Sequence, residues 1–352
     1  MKPIVFFCTA ILLVLLPVSA FSNSAPVVSN VIASQRADNS KLVDIYYDLA
    51  DADGDSCTIW VVASSDGGST WRVPAMTFTG AVGPGVTPGG QKRIIWDAGS
   101  DIPGYVGSFK VRVYADDGKG YPMVFVPAGE FPYGGGTQVF VNNFWIDKYE
   151  ITNEFYCEFL NRVGLWGYYF DSRMEISQSG GWGTYLYSPY PDRENYPVRF
   201  VNWDDANAFA TWRSAVEGMK YRIPNEQEWQ KAAAWDPIES HLYAYGFHRD
   251  TLDLYPHTWA NFNNYVGAPT AVGYYNGTGG RHDSKSYYGC YDMSGNVWEW
   301  VGTPGYDPYF GWRCNIGGGA WNSGGCGVVG SSYYTSSSRT GEVGFRLVRV
   351  SE

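Results

Sequence analysis

Histidine is scarce in this sequence, with four residues in 352, and none falls in an H-x3-H or H-E-x-x-H arrangement. That removes helix-borne zinc protease sites and multi-histidine iron sites from consideration. No two cysteines form a C-x-x-C pair, which argues against a zinc ribbon. A nucleophile elbow and a phosphate-binding glycine loop are also missing. Positive charge is in short supply: 25 Lys and Arg face 35 Asp and Glu, a net charge of -10. Such a chain carries no basic patch for nucleic acid and is repelled by anionic lipid headgroups. Long apolar runs are missing beyond Ile4 to Leu16, which is too short to span a bilayer, so no membrane insertion is expected.

That single run has a role of its own. Lys2 precedes it and Val18-Ser-Ala20 follows it, the pattern of a secretory signal peptide over residues 1–20. The mature chain is expected in an exported setting: secreted, periplasmic or at the cell surface. Five cysteines remain after cleavage: Cys57, Cys157, Cys290, Cys314 and Cys326. Export permits disulfides, and Cys314–Cys326 is the expected pair. The odd count leaves at least one thiol unpaired.

Aromatic residues make up 17% of the chain and glycines number 43, a mixture that buries flat rings between loops rather than building long helices. Residues 24–118 read as all-β. Short runs at Val27–Ile32, Leu42–Tyr47, Thr58–Ala63, Arg93–Trp96 and Ser108–Tyr114 are separated by turn clusters, among them Gly83–Gly90. The spacing predicts a β-sandwich resembling immunoglobulin or fibronectin modules. Asp51, Asp53 and Asp55 alternate as in a calcium loop. Ser56 stands where that loop needs glycine, and Val62 where it needs glutamate, so the segment reads as a turn. Ser64–Trp71 matches one Asp-box, a hairpin device in which Asp66 bonds turn amides and Trp71 packs beneath.

A polar joint, Asp116–Pro122, leads to a second domain over residues 123–352. Thr152-Asn153 caps a helical run carrying Phe155, Phe159 and Leu160 on one face. Trp203–Ala206 opens another helix, with Phe209 and Trp212 inward. A third begins at Asn225, whose spacing to Glu228 is that of a capping box.

Seven segments then occur in a telling order: Met123–Gly129, Asp147–Asn153, Pro197–Trp203, Arg222–Trp229, Tyr291–Trp300, Gly318–Trp321 and Gly344–Leu347. Together they resemble the sulfatase-modifying-factor family, founded on formylglycine-generating enzymes. The resemblance implies an α+β fold, a loop-rich variant of the C-type lectin fold following the N-terminal sandwich. It also implies an activity, the copper- and oxygen-dependent conversion of a sulfatase cysteine to formylglycine. That chemistry needs two thiols spaced C-x4-C, because soft copper(I) takes paired thiolates. The matching positions are Ser323 and Val328. Ala320 and Gly324 replace the family's nearby serine and histidine. Copper binding is therefore not expected, and Cys326 is the one candidate catalytic residue if the chain is an enzyme.

The resemblance also implies calcium. One set would use the Asp292 and Glu299 carboxylates with the Gly295 and Val297 carbonyls. A second would use Asn261, the Phe262 carbonyl, Asn264 and the Val266 carbonyl, across a shortened loop. Hard oxygens of this kind suit calcium, with a structural role.

From Asn322 to Gly341 the chain is rich in Ser, Gly and Tyr, the composition of adaptable recognition loops. Three readings stay open. The first is an exported ligand-binding module whose recognition face comprises Trp312, Trp321, Asn322, Tyr333 and Tyr334, for a protein, peptide or glycan. The second is an oxidoreductase of formylglycine-generating type with an altered site. The third is a scaffold with no specific ligand.

Overall fold

The computed structural model describes residues 26–350, apart from 69–72, 74, 105–106, 119, 135, 165, 235–257 and 329–331. The signal-peptide segment, Trp71 and part of the Ser/Gly/Tyr segment lie outside the described residues.

The N-terminal part is two antiparallel sheets around one core. One sheet runs β1 (Val27–Gln35), β2 (Leu42–Ala50), β6 (Gly89–Asp97), β4 (Phe78–Gly80). The other runs β5 (Gly83–Val86), β3 (Cys57–Ser64), β7 (Lys110–Asp116). A one-turn helix, α1 (Ala98–Asp101), follows β6. Alternation decides which side chains face in: Val43, Ile45, Tyr47 and Leu49 of β2 meet Ile59, Val61 and Ala63 of β3. All five expected strands are present. β5 was not expected, because Gly83-Pro-Gly reads as a turn. It lies at a sheet edge, where a proline costs no ladder bond. The Asp51 segment is a turn, its Oδ1 accepting the amides of Asp53 and Asp55.

The second part holds short strands and, among the described residues, three helices of eight residues or more. A four-stranded sheet runs β14 (Lys220–Arg222), β19 (Val348–Val350), β11 (Phe144–Asp147), β8 (Met123–Val126). Two hairpins join β9 (Gly129–Tyr133) to β10 (Thr137–Val141) and β12 (Ile176–Ser179) to β13 (Leu186–Pro189). A second four-stranded sheet runs β17 (Ser332–Thr335), β16 (Gly311–Gly317), β15 (Trp298–Asp307), β18 (Val343–Gly344).

Each longer helix starts on a side-chain cap. Thr152 Oγ1 accepts the Phe155 amide ahead of α2 (Asn153–Val163). Asn202 and Asp205 exchange bonds across the first turn of α3 (Trp203–Glu217), a capping box not read in the sequence. Asn225 and Glu228 do the same for α4 (Glu226–Ala234), as the spacing predicts. Tyr156, Phe159 and Phe209 of α2 and α3 build the main core with Phe345 and Trp300.

The two parts touch through aromatics. Trp60 of β3 packs on Phe125 and Trp145, each at 6.0 Å between ring centroids, and Tyr114 meets Trp145 at 4.7 Å. Arg349 lies over the Trp145 ring and reaches Asp116 at 3.3 Å.

Candidate functional site

Arg346 is the centre of the second part. It is fully buried, as is Glu299, and the two form a bidentate pair at 2.6 and 2.7 Å. The remaining guanidinium hydrogens go to the carbonyls of Asp147, Lys148 and Tyr291. Trp229 Nε1 donates to Glu299 Oε2 at 2.7 Å, so α4 is tied to the same centre. Two further carboxyls lie near. Glu150 accepts from Asn296 Nδ2 and the Val297 amide, and burial beside Asp292 holds it well above the ordinary range. Asp292 accepts the Gly273 amide, and burial pushes its pKa up to about 6.

The stretch Gly317–Gly319 closes over this centre, and each glycine is needed for a different contact. A Cβ on Gly317 would stand 3.0 Å from the Trp229 ring, on Gly318 2.9 Å from the Met293 carbonyl, and on Gly319 2.6 Å from the Gly325 carbonyl. The chain then turns through Ala320–Ser323, where Ser323 Oγ accepts the Ala320 amide. Ser323 is thus a turn residue, and Val328 is fully buried in an apolar cluster with Cys290 and Met293.

The five described cysteines are buried and none is in a disulfide, so the expected Cys314–Cys326 bond is absent. The reason is the direction of β16. Cys314 points into the main core and donates its thiol to the Val301 carbonyl at 3.1 Å. Cys326 sits in a separate small cluster with Ala260, against Trp259 and Phe262.

The segment read as a recognition loop is partly a strand. β17 pairs with β16, Tyr333 opposite Asn315 and Tyr334 opposite Cys314. That register turns Tyr334 toward the main core. Trp321 is also half-buried, its amide donating to the Asn296 carbonyl. Trp312, Tyr333 and Asn322 are exposed, and Asn322 reaches Glu342. The tip of the β15–β16 hairpin adds three aromatics that the sequence reading missed: Tyr306, Phe310 and Tyr309, the last 90% exposed. Tyr306 meets Trp312 edge to face at 5.7 Å, and Arg313 lies over both Phe310 and Tyr333. The signal was present as Tyr306-Asp-Pro-Tyr-Phe-Gly-Trp312, aromatics spaced around a turn.

Residues 112–351 match the family described as the sulfatase-modifying factor enzyme 1-like domain. The chain belongs to the sulfatase-modifying-factor family. Among curated relatives, the formylglycine-generating enzyme of Thermomonospora curvata is 28% identical over 51% of this chain and 70% of its own length. The hercynine oxygenase of Mycolicibacterium smegmatis is 34% identical over 31% of this chain, which spans just 22% of that relative. A bovine relative named inactive C-alpha-formylglycine-generating enzyme 2 is 25% identical over 53% of this chain and 72% of its own length. The crystal structure of CarF shares the fold at a TM-score of 0.52 and 20% identity, covering 66% of this chain and 99% of CarF. The mostly-sheet architecture with few helices is consistent with the family's C-type-lectin-like fold.

The donors in place fit the calcium that the family implies only in part. Asn261 fits: its Oδ1 is buried with no hydrogen-bond partner, while its Nδ2 is held by the Ala268 carbonyl. Glu299 does not fit, because both its oxygens are committed to Arg346 and Trp229. The Gly295 and Val297 amides are bonded to the Gly318 carbonyl and Glu150, which fixes the backbone between Asp292 and Glu299. Phe262 is half-buried beside Cys326, whereas Asn264 and Val266 are exposed. Among the described residues, no three His, Cys, Asp or Glu side chains cluster as a metal cage.

Proposed function

We propose that this chain is an exported, non-catalytic recognition module of the sulfatase-modifying-factor family. In this reading the N-terminal sheets are an immunoglobulin-like support, and the hairpin tip meets a protein, peptide or glycan. The observation that carries it is the aromatic ridge. Tyr306, Tyr309, Phe310, Trp312 and Tyr333 are all more than half exposed, on adjoining strands and the turn that joins β15 to β16. Exposed clusters of large aromatics mark contact surfaces, since rigid rings lose little entropy on binding.

The paired substitution Tyr309→Ser and Trp312→Ser tests it on glycan and peptide arrays. Features bound by the unaltered protein should weaken at least about ten-fold, the size of one hot-spot pair. The melting temperature should stay within about 2 °C, as expected of exposed positions. Unchanged array binding would remove the ridge from the account.

Calcium enters this reading as a structural ion of the second set, drawing on the unpartnered Asn261 Oδ1. Raising calcium to about 100 times its dissociation constant should then stabilise the fold by about 2.7 kcal/mol over chelated protein. Asn261→Ala should abolish the difference. Identical melting curves with calcium and with chelator would refute the ion.

A further inference from the structure

A cavity of about 100 Å³ opens between the end of β9 and the first turn of α4. Trp229, Val301 and Val328 form its floor, and each is at most 2% exposed. Tyr133 and Glu226, both partly exposed, also line it. Glu226 is the one charged residue among those lining it. Its carboxylate is held from two sides by neutral donors, the Tyr133 hydroxyl at 2.6 Å and the Asn315 amide. Among the described residues, no Lys or Arg pairs with it.

The walls are preorganised. Trp229 Nε1 is fixed on Glu299, so the indole cannot turn out of the floor. Gln230 bridges the two sides, accepting the Gly134 amide and donating to the Val328 carbonyl. Gly317 lacks the Cβ that would press on the Trp229 ring.

We propose that this cavity binds an alkylammonium head group. An unneutralised carboxylate selects a cation. A single carboxylate flanked by rings and valines offers too few oxygens to replace the six or more ligands of a hard metal ion. An alkylammonium ion meets both demands, its charge facing Glu226 and its methyl groups facing Trp229, Tyr133 and the valines. Recognition of this kind rests on a ring's negative face and a nearby anion together. The acidic chain as a whole draws cations toward the site. The site stands whether or not the ridge binds anything.

The same chemistry is carried by a free quaternary amine and by a methylated lysine on a polypeptide, so both are probed. Titration of the full chain with choline, a trimethyllysine peptide and 3,3-dimethylbutan-1-ol, choline's neutral isostere, is followed by calorimetry at fixed ionic strength. At least one cation should bind ten-fold or more tightly than the neutral alcohol, and which one does so identifies the source. Glu226→Gln should weaken that binding at least ten-fold. The proposal is overturned if neither cation binds, if the alcohol binds equally well, or if Glu226→Gln binds as the unaltered chain does. The cation-to-alcohol comparison needs no variant, so a misfolded Glu226→Gln does not shelter the idea.

Discussion

Arg346→Met should destabilise the fold by about 3–5 kcal/mol, the cost of leaving a buried carboxylate without its cation. Glu299 and Arg346 are both fully buried and bonded bidentately, so water cannot replace the lost partner. Arg346 also saturates three backbone carbonyls, and methionine would leave these unsatisfied too. Glu150 and Asp292 add to the loss, because the guanidinium charge stabilises their ionised forms. For a domain of this size the melting temperature should fall by roughly 6–20 °C. The double variant with Glu299→Gln should be less damaged than Arg346→Met alone, since it removes the orphaned charge. Equal melting of Arg346→Met and the unaltered protein would show that the pair does not organise the centre.

Gly295→Ala should be comparably severe. The residue has φ of +90°, and a Cβ there would stand 2.4 Å from the Asn261 carbonyl oxygen. That carbonyl accepts the Asn296 amide, while Gly295 itself donates to Gly318. One methyl group therefore pushes three loop segments apart. Left-handed strain costs about 1–2 kcal/mol, and displacing backbone adds to it, for a total of about 3 kcal/mol or more. Gly54→Ala is the control. It has φ of +77° with nothing within 4 Å of a built Cβ, so only the strain of about 1–2 kcal/mol applies. Urea melts of the two variants separate packing from strain. Equal losses would mean that the loops do not interlock at Gly295.

What the sequence made legible was local. The Asn225–Glu228 cap needs a spacing of three, and five N-terminal strands need alternating side chains; both can be read within a few residues. The family resemblance rests on seven ordered segments and extends over most of the second part. What stayed hidden depends on contacts between distant segments. Glu299 was read as a free oxygen donor because Arg346, which consumes it, is 47 residues away. Tyr334 was read as exposed because nothing local tells that β17 pairs with β16 in the register that turns it inward. The Cys314–Cys326 pairing failed for the same reason: closeness along the chain does not fix which face of β16 carries the thiol. Glu226 received no role, since its partners Tyr133 and Asn315 come from β9 and β16.

The most direct test of the central claim is turnover. The purified protein, loaded with copper(I), is mixed in air with a peptide carrying Cys-x-Pro-x-Arg, and peptide mass is followed beside an active formylglycine-generating enzyme. With Ser323 and Val328 at the thiol positions and Cys326 buried among aromatics, the account predicts unchanged peptide mass while the control converts its substrate. Formylglycine product that disappears in Cys326→Ser would contradict it and make the chain an oxidase with a rebuilt site.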